Sequence, residues 1–290
     1  MCSTCGCNLT PGNRHLLEPP VKATRPGTSP ESVLGGLLAA NNRQAEANRA
    51  RLDAHGILTI NLMSSPGSGK TALLEATIRS MREELRIAVI EGDLETENDA
   101  DRIRALGVSA HQITTGTACH LDAHLVAQGL DNLDLDAIDV LFVENVGNLV
   151  CPASFDLGHH RNVTLLSVTE GDDKPAKYPV MFRASDLMLI TKVDLLVHLP
   201  EFSTNRAETF LRRLASDAPV LTLSARNGDG VAQWQDWLRR ELDGYRALTH
   251  QKRTLTPRIQ PDGARPHRAE NPQVRFVPVP GASDARIQRR

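Results

Sequence analysis

The sequence predicts an α/β fold, a mostly parallel sheet with helices on both faces. Three observations predict it. Short apolar runs rich in Val, Ile and Leu recur through the middle of the chain as ILTINLM, RIAVIEG, VLFVENV, NVTLLSV, DLMLITKV and PVLTLSA, which is how strands buried on both faces read. Amphipathic stretches such as TALLEATIRSMREEL and STNRAETFLRRLA separate them, and strands alternating with helices build parallel sheets. The first run passes through a glycine-rich turn, SSPGSGKT, directly into one of those helices.

The elements follow in chain order. The first seven residues, MCSTCGC, hold three of the five cysteines. Five is an odd number for a disulfide framework, and 290 residues bury enough apolar surface to need no staples. The following NLTPGNRHLLEPP lacks the apolar core of a secretory signal, so a reducing cytoplasmic location is expected. Residues 8–30 are rich in Pro, Gly, Ser and Thr without apolar period, which makes residues 1–30 a flexible, metal-binding leader. Residues 31–55 have helical composition, with Leu34, Leu37, Leu38 and Leu52 on one face. Gly35-Gly36 weakens the first turns and predicts a later start. Residues 56–248 make one nucleotide-binding α/β domain. From His250 to Arg290 nine Lys/Arg face three Asp/Glu in a Pro-rich stretch, so residues 249–290 are expected to be a disordered, solvated basic tail. Aromatics are only 3% of the chain, which predicts an aliphatic core. A net charge of −2 gives no general attraction to nucleic acid or anionic membrane, and the lack of an 18-residue apolar run argues against a membrane span.

SSPGSGKT, residues 64–71, fits the P-loop pattern G-x-x-x-x-G-K-[ST] except that Ser64 stands at its first position. Gly67, Ser68 and Gly69 would turn backbone N–H groups toward phosphate oxygens. Lys70 would reach the β- and γ-phosphates, and the Thr71 hydroxyl would sit on Mg²⁺. The helix N-terminus adds partial positive charge. Further on, TKVD (Thr191, Lys192, Asp194) resembles the [NT]KxD base-reading signature of GTPases. Asp194 would accept from guanine N1–H and the 2-amino group, and ATP would leave that carboxylate unpaired. Ser224 and Ala225 in LSARNGDG resemble the loop that lines guanine. Together these motifs select GTP.

Phosphoryl transfer needs a metal and charge neutralisation more than covalent chemistry. Asp93 closes RIAVIEGD and Glu144 closes VLFVE, both at strand ends where ligands of such sheets collect. ENVG resembles a DxxG switch with Glu for Asp. Lys70, Asp93 and Glu144 are the catalytic candidates, with Thr71, Asp93 and Glu144 on the Mg²⁺ side. Gly147 would offer its N–H to the γ-phosphate. Lys174 or Lys177 in EGDDKPAKYP could neutralise transition-state charge, or simply face solvent. Cys119 and His120 are adjacent, and Cys151 follows Gly147 by four residues. Thiolate plus imidazole suits Zn²⁺ or Ni²⁺, and three ligands leave a shell that a second subunit would complete. The alternative is a pair of inert core thiols. Cys2, Cys5 and Cys7 set three sulfurs near one ion. With the Cys2 amine exposed they would offer a planar N/S set suited to Ni²⁺, the alternative being a redox Cys-x-x-Cys.

MCSTCGC, SSPGSGKT, EGD, TACH, ENVGNLVCP, TEGDDKP and TKVD in this order resemble the HypB family of nickel-incorporation GTPases from [NiFe]-hydrogenase maturation. The resemblance covers roughly residues 32–245 and the leader. It implies a cytoplasmic P-loop GTPase of the SIMIBI class that homodimerises with GTP. It also implies nickel delivery to the hydrogenase large subunit in concert with a HypA-type metallochaperone. Cys2, Cys5 and Cys7 match the family's high-affinity nickel motif, and Cys119, His120 and Cys151 its nickel or zinc site at the dimer interface. Gly67 to Thr71, Asp93, Glu144 and Asp194 match the nucleotide and magnesium positions. Residues 8–50 hold only His15, so the nickel-storing histidine stretch of some members is missing. A urease-type accessory GTPase is disfavoured by the cysteine leader and by Cys-His in place of Cys-Pro-His. A metal-sequestering protein with vestigial nucleotide binding is disfavoured by intact Lys70, Thr71 and Asp194.

Overall fold

The computed structural model describes residues 30–93, 98–116, 119–214 and 216–257, with side chains from residue 38 onward. Seven strands among them form one sheet: β1 (Leu58–Ser64), β2 (Ile87–Asp93), β3 (Ser109–Thr114), β4 (Val140–Glu144), β5 (Arg161–Ser167), β6 (Leu187–Thr191) and β7 (Val220–Leu223). Their spatial order is β3-β2-β4-β1-β5-β6-β7, and every neighbouring pair is parallel. The described helices are α1 (Pro30–Ala54), α2 (Lys70–Met81), α3 (Asn98–Arg104), α4 (Ala123–Asp131), α5 (Lys174–Lys177), α6 (Pro179–Arg183), α7 (Thr204–Arg213) and α8 (Val231–His250). None is long and apolar enough to cross a membrane.

Six strands are the predicted apolar runs. The seventh, β3 (SAHQIT), has only Ile113 buried, because it lies at the sheet edge and one side stays open. Along β2, Val89 joins one apolar layer while Ala88 and Ile90 join the other, the period-two alternation of a strand covered on both sides. α2 and α8 cover the first layer through Leu73, Ile78, Trp234 and Leu238; α1 and α4 cover the second through Leu52, Val126 and Leu130. The core is mainly aliphatic, but both tryptophans are buried and stacked with centroids 5.3 Å apart. Trp234 Nε1 donates to Thr77 Oγ1 at 2.9 Å, which satisfies its buried N–H.

α1 runs through Gly35-Gly36 despite their low helix propensity. Docking of its later turns supplies the stabilisation that local propensity lacks. Asn41 Nδ2 donates to the Asp156 carbonyl at 2.8 Å, and Asn41 Oδ1 accepts the Ala123 N–H at the start of α4 at 2.9 Å. Asn48 Nδ2 donates to the Ala123 carbonyl at 2.7 Å. Arg49 Nη2 meets both Asp156 oxygens at 2.7 and 2.8 Å in a buried pair. Below the sheet, His160 Nδ1 accepts the Thr59 N–H at 2.9 Å, so its Nε2–H faces Asp53 Oδ1 at 3.2 Å. The same oxygen accepts from Tyr245 Oη at 2.9 Å and Thr254 Oγ1 at 3.1 Å, which ties α1, the residue before β5, α8 and the segment after α8 together.

His159 and His160 are both enclosed, and burial lowers both imidazole pKa values, that of His159 to about 4. The facing Asp156 and Asp53 carboxylates oppose that shift without cancelling it. A neutral form preferred by the fold stabilises it above the unfolded pKa of 6.5 and ceases to do so as pH falls toward 4. His159→Asn keeps an acceptor for the Leu157 N–H but has no proton to gain. Between pH 6 and 5 its unfolding free energy in urea should therefore fall less steeply than that of the wild type, by about 1 kcal/mol. Equal slopes would show that His159 is not held neutral.

Candidate functional site

The site lies at the C-terminal edge of the sheet, where strand ends leave backbone groups and loops free to meet a ligand. After β1 the chain turns at Gly67 and Gly69, with φ +71° and +101°, a region that glycine enters without a Cβ penalty. Lys70 and Thr71 are the first residues of α2. Lys70 Nζ donates to Ser64 Oγ at 3.1 Å and lies 3.9 Å from Glu144 Oε1, and Thr71 Oγ1 donates to Glu144 Oε1 at 3.0 Å. Ser64, the departure from the P-loop pattern, thus receives the lysine. A cavity of about 430 Å³ opens here, lined by Gly67, Lys70, Thr71, Glu144 and Gly147 among others. A Cβ on Gly147 would fall 2.8 Å from Pro66 Cα, so the ENVG segment rests directly on the P-loop and tolerates no side chain there.

Two acids that the sequence reading did not single out join this cavity. Glu91 pairs in register with Glu144 on the neighbouring strand, and Asp99 comes from α3. Carboxylate oxygens of Glu91, Asp99 and Glu144 all lie within 4.8 Å of one another. The Oε2 atoms of both glutamates are buried without a hydrogen-bond partner. Burial raises both glutamate pKa values, and neighbouring carboxylates add to it. Lys70 opposes both shifts, and Thr71 that of Glu144. The signal available for Glu91 was a carboxylate inside an otherwise apolar strand run; Asp99 carried none, because α3 is short and charged throughout. Asp93, half-buried at the end of β2, lines the same cavity, and its carbonyl accepts the Thr115 N–H at 2.9 Å.

A second cavity, of about 270 Å³, adjoins the first and is lined by Thr191, Lys192, Asp194, Ser224, Ala225 and Arg226. Thr191 Oγ1 donates to the Ser68 carbonyl at 2.7 Å, and Lys192 Nζ to the Gly67 carbonyl at 2.6 Å. Both side chains are struts between the TKVD loop and the P-loop. Lys174 sits 5.2 Å over the Tyr178 ring and Lys177 Nζ lies 2.6 Å from Asp173 Oδ2; neither lines either of these two cavities.

Beside the ENVG segment, Cys119 Sγ lies 3.0 Å from Cys151 Sγ and 3.7 Å from His120 Nδ1. The three donor atoms fall within 4.8 Å of one another. His120 is stacked on Phe155 at 4.1 Å between centroids, and burial holds its imidazole below the ordinary pKa, leaving a lone pair free near neutral pH. Cys2, Cys5 and Cys7 lie outside the described residues.

A parallel sheet with a P-loop after its first strand, and two adjoining cavities lined by that loop and the TKVD segment, defines a P-loop nucleotide-binding protein. Residues 58–222 match the family described as CobW/HypB/UreG, nucleotide-binding domain. The chain belongs to this family and, within it, to the HypB hydrogenase maturation factors. It is 50% identical over 232 residues to the hydrogenase maturation factor HypB of Azotobacter vinelandii, covering 79% of this chain and 76% of that one. It is also 50% identical over 216 residues to that of Escherichia coli K12, covering 73% and 74%. The crystal structure of HypB from Helicobacter pylori in complex with nickel superposes with a TM-score of 0.68 at 40% identity, covering 71% of this chain and 96% of that one.

Proposed function

We propose that this protein is a GTP-hydrolysing, nickel-binding maturation factor that delivers Ni²⁺ to the [NiFe]-hydrogenase large subunit in the cytoplasm. One observation carries the reading: Gly147, on the wall of the phosphate cavity, and Cys151, 3.0 Å from Cys119, belong to one five-residue segment. A γ-phosphate that draws on the Gly147 N–H moves a nickel ligand in the same step. Nucleotide state then biases metal affinity through a local switch.

Lys70 and the P-loop N–H groups hold the β- and γ-phosphates, and Asp194 reads guanine while Thr191 and Lys192 keep its loop against the P-loop. Two buried, unpartnered glutamate oxygens beside Asp99 are a hard-oxygen donor set that fits Mg²⁺, with Thr71 and Asp93 at its margin. When bound, Mg²⁺ neutralises charge developing between the β- and γ-phosphates. Cys119, His120 and Cys151 supply three donors of the softness that suits Ni²⁺ or Zn²⁺, and a second copy of the chain completes the shell in a GTP-dependent homodimer. Cys2, Cys5 and Cys7 take nickel with higher affinity, and a HypA-type metallochaperone exchanges it with them.

The test is a nickel titration of the full chain carrying Cys2→Ala, Cys5→Ala and Cys7→Ala, with GDP and with a non-hydrolysable GTP analogue, alongside phosphate release from GTP. Nickel affinities differing at least fivefold, with measurable turnover, are expected. Equal affinities remove the coupling, and no turnover leaves a metal-sequestering protein.

A further inference from the structure

The segment from Asn145 to Cys151 explains how nucleotide reaches Cys151, but Cys119 and His120 sit on a different loop, between β3 and α4. Two asparagine side chains span the gap. Asn145 Oδ1 accepts the Leu121 N–H at 3.1 Å and the Val146 N–H at 3.0 Å. Asn148 Nδ2 donates to the Cys119 carbonyl at 3.3 Å, while its Oδ1 accepts the Val150 N–H at 2.8 Å. The two cross-loop bonds grip the chain on either side of His120.

The amide orientations follow from the partners. Two N–H groups converging on one atom of Asn145 require that atom to be oxygen, so its Nδ2 is left to donate. It donates to Asn61 Oδ1 at 3.2 Å, and Asn61 Nδ2 donates in turn to Asn162 Oδ1 at 3.0 Å. Asn145 and Asn61 are fully buried and Asn162 nearly so, which places a polarised amide row across β4, β1 and β5 just below the switch segment. Buried amides with every partner in place permit one arrangement and resist others, since an orphaned N–H or carbonyl there would go unsatisfied.

We propose that Asn145 and Asn148 are positioning residues that clamp the flanks of His120 to the switch segment, so that Cys119 and His120 follow nucleotide state together with Cys151. The proposal rests on the nucleotide-to-metal coupling above and names the side chains that carry it across. Without the clamp a shift at Gly147 would move one ligand away from two; with it, all three move as a set relative to the rest of the fold.

Asn145 also lines the phosphate cavity, so Asn148, which lines neither cavity, is the residue to test. Asn148→Asp keeps an oxygen for the Val150 N–H but loses the donor to Cys119. Asn148→Ala loses both. In the full chain with the three leader cysteines replaced by alanine, nickel alone is titrated with GDP and with a non-hydrolysable GTP analogue. The readout is the ratio of the two affinities, in which a uniform effect of an added charge or of lowered stability cancels. In both variants the ratio is expected to fall below half its wild-type value while GTP-analogue affinity is kept. If Asn148→Asp keeps more than half of the wild-type ratio, the clamp does not carry the coupling and the proposal is overturned, whatever Asn148→Ala does. A wild-type ratio of one overturns the underlying reading as well, which distinguishes the two failures.

Discussion

Lys70→Ala is expected to lower GTP turnover by roughly 10²–10³-fold, the loss that follows removal of one preorganised charge from a phosphoryl or oxyanion site. Lys70 is buried, 3.1 Å from Ser64 Oγ and 3.9 Å from Glu144. Its removal takes away the cation proposed to hold the phosphates, which also opposes the raised pKa of both Glu91 and Glu144. The carboxylate cluster then holds its protons more tightly and presents a poorer seat for Mg²⁺. Single-turnover phosphate release with saturating GTP and Mg²⁺ measures the effect. Lys177→Ala is the control, since Lys177 pairs with Asp173 on an exposed surface and should leave turnover near wild type. Turnover in Lys70→Ala within threefold of wild type would remove Lys70 from the catalytic set.

Cys151→Ala should weaken nickel binding by more than about 100-fold in the chain whose leader cysteines are replaced. Loss of a partner one step removed from a metal costs 10- to 100-fold, and loss of a ligand costs at least as much. The thiol is buried against Cys119, so the alanine leaves a small gap and the fold should survive. Competition with a chromophoric chelator gives the affinity, and a thermal melt checks the fold. Cys119→Ala should match it, because both sulfurs belong to one set; near-wild-type affinity in either variant would make that sulfur a bystander.

Legibility followed local chemistry. β1 and the P-loop were readable because the apolar run, the two glycines and Lys-Thr sit in sequence, and TKVD because its residues are contiguous. β3 was not, since an edge strand with one buried residue carries no apolar run. Glu91 was passed over for Asp93 because its place opposite Glu144 depends on the β2–β4 register. The Asn145 and Asn148 contacts to the loop of Cys119 and Leu121 cross 24 and 29 positions, and an amide in a switch segment looks like any other loop residue. The bond from the Thr191 hydroxyl to the Ser68 carbonyl crosses 123 positions and is likewise invisible in the motif.

The order of strands also sets a schedule for synthesis. β1 lies between β4 and β5, and Ile60 is registered against Phe142 on one side and Arg161 on the other. The strand that leads into the P-loop therefore leaves the ribosome with neither neighbour made. At translation speeds of about 5–20 residues per second, its second neighbour follows roughly 5 to 20 seconds later. Until β4 is made, an apolar strand with both edges open is exposed to mispairing, and one edge stays open until β5 follows. Asp194 is untranslated for the whole of that wait and Glu144 for most of it, so a nucleotide would meet an incomplete site on the nascent chain. Yield of folded protein should thus depend on chaperone capacity more than on nucleotide supply.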